Sequence, residues 1–121
     1  MCTSSPQVYR QICQCYQQKY GIPLSKTIKR EFSLRSEFAF LLAHDFLLDP
    51  ALACARLINK AVKGMGTDDE SLINVTVLYS DYYKGDAIRR AYTEYGDVTR
   101  ALKGDLSGYY EKCVLAMWGL Q

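Results

Sequence analysis

Two short stretches hold the residues best suited to chemistry: Val62-Lys63-Gly64-Met65-Gly66-Thr67-Asp68-Asp69-Glu70, and Lys103-Gly104-Asp105-Leu106-Ser107-Gly108, whose Asp105 stands 39 positions after Gly66. Gly64 and Gly66 permit positive φ, so this loop can turn its carbonyl oxygens toward one point while a distant carboxylate closes the other side. An all-oxygen shell of that kind suits a hard cation such as Ca²⁺, which takes about 6–8 ligands. The carbonyls of Val62, Gly64 and Gly66 with a bidentate Asp105 would supply about five, leaving room for water or a ligand oxygen. A helix ending at Val62 would also point its last, unpaired carbonyls into the loop. With one formal carboxylate in the shell, the expected affinity is weak, on the order of 10⁻⁴–10⁻³ M. A plain turn, with Gly64 closing one helix and Thr67 capping the next, would explain the glycine and threonine but not the distance to Asp105.

The elements that must position these residues read as helices nearly throughout. Cys54, Leu57, Ile58, Ala61 and Val62 recur at helical spacing and make one face of a helix that stops at Gly64. A second helix is expected from Thr67, with Thr67 as N-cap, Glu70 completing a capping box, and Asp68 and Asp69 favoured by the helix dipole. It runs to about Tyr79, with Leu72, Ile73, Thr76 and Val77 inward. A third spans about Lys84 to Tyr95 and closes on Gly96, and a fourth spans about Asp97 to Lys103. A fifth begins at Ser107 and carries Tyr110, Cys113, Val114, Met117 and Trp118 on one stripe. Upstream, Ile12-x3-Tyr16-x3-Tyr20-Gly21 echoes Ile88-x3-Tyr92-x2-Tyr95-Gly96, with the two Tyr-Gly pairs 75 residues apart. Lys29-Arg30-Glu31-Phe32-Ser33 stands where Lys103-Gly104-Asp105-Leu106-Ser107 stands in the second copy.

The G-x-G-T loop, the acid about 40 positions on, Leu72-Ile73, Tyr95-Gly96 and Ser107-Gly108-Tyr109-Tyr110 together resemble the annexin family. The resemblance implies an all-α fold of annexin-type helical repeats: a complete five-helix repeat over 48–121, preceded over 6–47 by the last three helices of another, after an N-terminal extension at 1–5. It covers about one and a half of the four repeats usual in the family, as a truncated or C-terminal piece would, and it admits a divergent giardin-like type. It also implies Ca²⁺ at Val62, Gly64, Gly66 and Asp105, and by analogy a weaker cation position at the Thr67 carbonyl and Asp69. Lys63 and Met65, at the loop tip, would meet an acidic head group and the bilayer interface respectively. The implied activity is calcium-dependent binding to acidic phospholipid membranes by a cytoplasmic, peripheral protein. The alternative is a calcium-independent scaffold element that binds itself or a cytoskeletal partner. Glu31, with no glycine loop before it, is expected to be a solvated glutamate, and the incomplete upstream copy is expected to uncover Phe32, Phe38, Leu41, Leu42 and Phe46.

Composition narrows the alternatives. The chain's 121 residues suffice for a single core, and 15 basic against 13 acidic residues give a net of +2, too small to argue for nucleic acid by bulk electrostatics. Apolar runs such as Phe38-Ala39-Phe40-Leu41-Leu42-Ala43 fall short of the roughly 18–20 residues of a spanning helix. The first residues lack the basic and apolar regions of a signal peptide. Cys2, Cys13, Cys15, Cys54 and Cys113 read as reduced thiols rather than as a disulfide framework. His44 is tied to no nucleophile by any motif, so catalysis is not expected.

Overall fold

The computed structural model describes residues 5–121. Cys2 and most of the expected N-terminal extension lie outside the described residues. Among those described there are eight α-helices, one 3₁₀ turn and no strand. The chain divides into two compact units, the first reaching Ala53 and the second running from Cys54 to Gln121.

The first unit is built on three helices, α1 (Pro6–Tyr20), α2 (Leu24–Glu31) and α3 (Leu34–Leu48). Ser5 caps α1 by accepting from the Val8 amide at 3.3 Å, and Pro6 begins the helix, where its missing N–H costs nothing. Gly21, at φ 74, closes it. Polar contacts tie the helices together. Tyr9 and the Nδ1 of buried His44 share a hydrogen bond of 2.7 Å, and Tyr16 and Thr27 pair through their hydroxyls at 2.9 Å. Burial first, and then Cys13 beside it, push the Tyr9 phenol well above its ordinary range. The Arg10 guanidinium donates to the Leu48 carbonyl at 2.7 and 3.2 Å, a cation at a helix C-terminus. The expectation of uncovered apolar residues is met in part: Phe32 and Phe46 are exposed and Phe38 and Leu42 half-buried, whereas Leu41 is buried.

The second unit takes α4 (Pro50–Val62), most of which it contains, then α5 (Asp69–Tyr83), α6 (Asp86–Ala91) with the 3₁₀ turn Tyr92–Tyr95, α7 (Val98–Asp105) and α8 (Gly108–Met117). The expected single helix from Lys84 to Tyr95 is therefore an α-turn that tightens into 3₁₀ geometry. The reason is legible in the spacing. Tyr16 and Tyr20 are four apart in fully α-helical α1, whereas Tyr92 and Tyr95 are three apart, the period of a 3₁₀ helix. α5 runs a turn beyond the expected Tyr79. Its inward face is Leu72, Val75 and Thr76, while Val77 is 62% exposed and Ile73 46% exposed. On α8 the inward residues are Val114, Leu115 and the following Trp118, not the whole stripe from Tyr110 to Met117. Trp118 has no exposed surface, and its indole N–H donates at 2.9 Å to Thr76, whose hydroxyl donates to the Leu72 carbonyl at 2.7 Å.

Candidate metal centre

α4 ends at Val62, and the chain then turns through exposed Lys63, Gly64, Met65 and Gly66 before α5 begins at Asp69. The turn is closed at its base by two backbone bonds of 2.8 Å, from Lys63 to the Asn59 carbonyl and from Asp68 to the Ala61 carbonyl. Between these closures, no backbone N–H among the described residues takes a carbonyl from Val62 to Thr67. Gly64 and Gly66 have φ of 96° and 80°, in the region that L side chains rarely enter, so both glycines are required by conformation; a Cβ at either would meet nothing within 4 Å. Met65 is fully exposed at the tip, and Lys63 beside it is exposed.

Asp105, the last residue of α7, reaches this loop. The Thr67 hydroxyl donates to Asp105 Oδ2 at 2.9 Å, across 38 positions of sequence. Loop and acid are thus brought together as their spacing suggested, and the contact carries a role for the threonine that the sequence reading missed. Thr67 was expected as the N-cap of α5. That task falls instead to Asp68, which accepts from the Ser71 amide at 3.3 Å and the Ser71 hydroxyl at 2.8 Å. These bonds hold the Asp68 carboxyl below its usual range. A carboxylate accepts more strongly than a hydroxyl, and Thr67 has its hydroxyl engaged elsewhere, so the Thr67–Glu70 capping box does not form.

Around the pair stand further hydroxyls. Tyr110, in α8, donates to Asp69 Oδ1 at 3.0 Å, so Asp69 of the weaker candidate position is tied to α8. Burial, followed by that bond and the Asp69 charge, pushes the Tyr110 phenol up to about 12. The Tyr92 phenol is also raised, by burial first and then by the Asp105 charge, and its hydroxyl donates to Asn59 at 3.4 Å, just before the loop. The Tyr92 and Tyr110 contacts were not foreseen either. Their only trace in the sequence is the recurrence of tyrosine beside Gly96 and after Ser107, which does not specify a partner.

The set fits a hard cation. Oxygen is the only donor type, the loop carbonyls accept no backbone bonds, and the facing carboxylate keeps Oδ1 clear of Thr67 while Oδ2 retains a lone pair. No group of three or more His, Cys, Asp or Glu that could hold a metal occurs among the described residues, which speaks against a soft-metal site and is neutral toward a carbonyl-based one. Cys13, Cys15, Cys54 and Cys113 form no disulfide.

The annexin family profile matches residues 53–117. Annexin E1 of Giardia intestinalis is 34% identical over 113 residues, covering 91% of this chain and 33% of the relative. Annexin A6 of Mus musculus is 31% identical over 121 residues, covering 98% of this chain and 18% of the relative. Among solved structures, the calcium-bound alpha-14 giardin superposes with a TM-score of 0.90 at 33% identity, over 96% of this chain and 39% of that one. The chain thus spans a third or less of the length of these curated relatives. With five α-helices from Pro50 to Met117, a glycine loop whose Thr67 bonds a distant aspartate, and a profile match over more than half its length, the chain belongs to the annexin family.

Proposed function

We propose that the chain binds acidic phospholipid surfaces through calcium held by the carbonyls of Val62, Gly64 and Gly66 and the carboxylate of Asp105, as a peripheral membrane protein and not an enzyme. The observation that carries this reading is the 2.9 Å contact of Thr67 with Asp105 beside a run of carbonyls that accept no backbone bonds. That alpha-14 giardin has been solved with calcium bound supports it. Calcium, when bound, supplies a positive centre that a lipid phosphate oxygen can complete. Each residue then has a task. The two glycines hold the carbonyls inward, Thr67 keeps Asp105 turned to the loop, Lys63 meets an acidic head group, and Met65 enters the interface. Lipid and calcium affinity rise together, because each ligand completes the site of the other. The weaker position, at the Thr67 carbonyl and Asp69, requires Asp69 to share its carboxylate with Tyr110.

Self-association or a cytoskeletal partner is the second reading. It is favoured by an apolar cavity of about 380 Å³ between α5 and α8, lined in part by Ile73, Val77, Tyr109, Cys113 and Met117. Co-sedimentation with phosphatidylserine vesicles at about 0.15 M salt separates the two, since the Debye length is then about 8 Å and surface charge is well screened. The calcium reading expects the bound fraction to rise at least tenfold when calcium replaces chelator. Equal binding with and without calcium contradicts it, and no vesicle binding in either condition leaves the scaffold reading.

A further inference from the structure

The net charge of +2 conceals a local cluster of cations. The first unit, to Ala53, holds six basic residues, Arg10, Lys19, Lys26, Lys29, Arg30 and Arg35, against four acids, Glu31, Glu37, Asp45 and Asp49, a net of +2, and all six basic residues precede Glu37. Three of the six fall at i, i+3 and i+4 on α2, which places Lys26, Lys29 and Arg30 on one side of the helix, and all three are exposed. With Ile22 they line a cavity of about 380 Å³. Glu31 does not neutralise them. It lies 3.8 Å from Arg30, and both side chains are about two-thirds exposed, so the pair is screened.

Apolar groups lie near this basic turn in the chain. Phe32, which follows Glu31, stacks on Phe40 with ring centroids 4.3 Å apart, and both rings are partly exposed. α2 also occupies the position in its copy that α7 occupies in the second unit. Each is eight residues long, ends in an acid, and is followed by an apolar residue whose amide bonds back four positions, Phe32 to Ile28 at 3.0 Å and Leu106 to Leu102 at 2.9 Å. In α7 the last turn reads Lys103-Gly104-Asp105 and offers its carboxylate to a glycine loop. In α2 it reads Lys29-Arg30-Glu31, with no such loop before it.

We infer that the exposed face of α2 formed by Lys26, Lys29 and Arg30, with Ile22 and the Phe32–Phe40 pair, is a calcium-independent docking surface for an acidic lipid membrane. This goes beyond the calcium reading and does not depend on it. Where the second unit needs a bridging cation to meet anionic head groups, the first brings its own. Charge complementarity names the partner: each Lys or Arg near an anionic leaflet is favourable, and exposed aromatic rings suit the interface. Three cations on one helical turn fit a flat field of head groups better than a nucleic-acid duplex, whose tight binders commonly neutralise about 6–10 phosphates.

The test is sedimentation of the full chain in chelator at about 0.01 M ionic strength, where the Debye length is about 30 Å. The probes are phosphatidylserine-rich vesicles, phosphatidylcholine vesicles and a DNA duplex. The chain should partition to the acidic vesicles only. Replacing Lys26, Lys29 and Arg30 together by Gln should lower the partition coefficient about 100-fold, roughly fivefold per charge. The charge-preserving set Lys26→Arg, Lys29→Arg, Arg30→Lys should retain binding, as should the control set Arg90→Gln, Arg100→Gln, Lys112→Gln, which removes equal charge from the second unit. The exposed Gln set should match the wild-type helical signal. No binding in chelator, equal binding by the Gln and wild-type chains, loss in the control set as great as in the Gln set, or DNA held as tightly as the acidic vesicles would each overturn the inference. None of these results bears on whether Asp105 binds calcium.

Discussion

Replacing Asp105 by alanine is expected to lower calcium affinity by at least about 100-fold, the upper end of what removing an outer-shell partner usually costs, because Asp105 is the only formal charge among the proposed ligands. The same substitution should leave the fold intact. Asp105 is exposed and ends α7, where a negative charge meets the negative end of the helix dipole. Stability should therefore stay level or rise by a few tenths of a kcal/mol, within the usual range of about 0.3–1 kcal/mol for such charges. Asp105→Asn keeps the shape and removes the charge, so it should behave like alanine. Isothermal calorimetry with calcium, beside denaturant unfolding in chelator, reads the two effects separately. Unchanged calcium affinity in Asp105→Ala would refute the proposed ligand set, and a collapse of stability would mean that the residue serves the fold.

Trp118→Ala should destabilise the second unit by about 3–5 kcal/mol, the usual range for truncating a buried aromatic. That is a large share of a typical net stability of about 5–15 kcal/mol. Trp118 has no exposed surface, and its indole joins the Thr76 hydroxyl in a chain that ends on the Leu72 carbonyl. Its main chain also matters, since its carbonyl accepts from the Gly85 amide at 2.7 Å. Trp118→Phe keeps most of the volume but strands the Thr76 oxygen without its donor, and should fall between wild type and alanine. Urea denaturation followed by circular dichroism measures both. A loss under about 1 kcal/mol for Trp118→Ala would mean that the core closes over the gap.

The parts of this molecule that could be read in the sequence are those fixed by local chemistry. Gly64 and Gly66 announced a turn, Gly96 a helix end, and the paired Tyr-Gly motifs an internal repeat, because each rests on a backbone conformation or spacing that few residues satisfy. The calcium candidates were legible for the same reason, with Asp105 at a distance that the plain turn did not explain. What escaped depended on competition between neighbours. Thr67 and Asp68 could each cap α5, and only the approach of Asp105 decides between them by engaging the Thr67 hydroxyl. Ile73 and Val77 fit an inward stripe as well as Leu72 and Val75 do, and the choice is made by where α8 packs, which periodicity does not contain. The basic face of α2 was hidden by averaging, since Glu31, Glu37, Asp45 and Asp49 of the same unit offset four of its six cations.

The central claim is that the loop from Val62 to Gly66 and Asp105 hold one calcium ion together. A crystal structure of the chain grown with millimolar calcium tests it most directly. An ion is expected at about 2.3–2.6 Å from the carbonyl oxygens of Val62, Gly64 and Gly66 and from both oxygens of Asp105, with its remaining positions open to water or phosphate. An ion bound elsewhere on the chain, or a loop that stays empty at that concentration with Thr67 still bonded to Asp105, would contradict it.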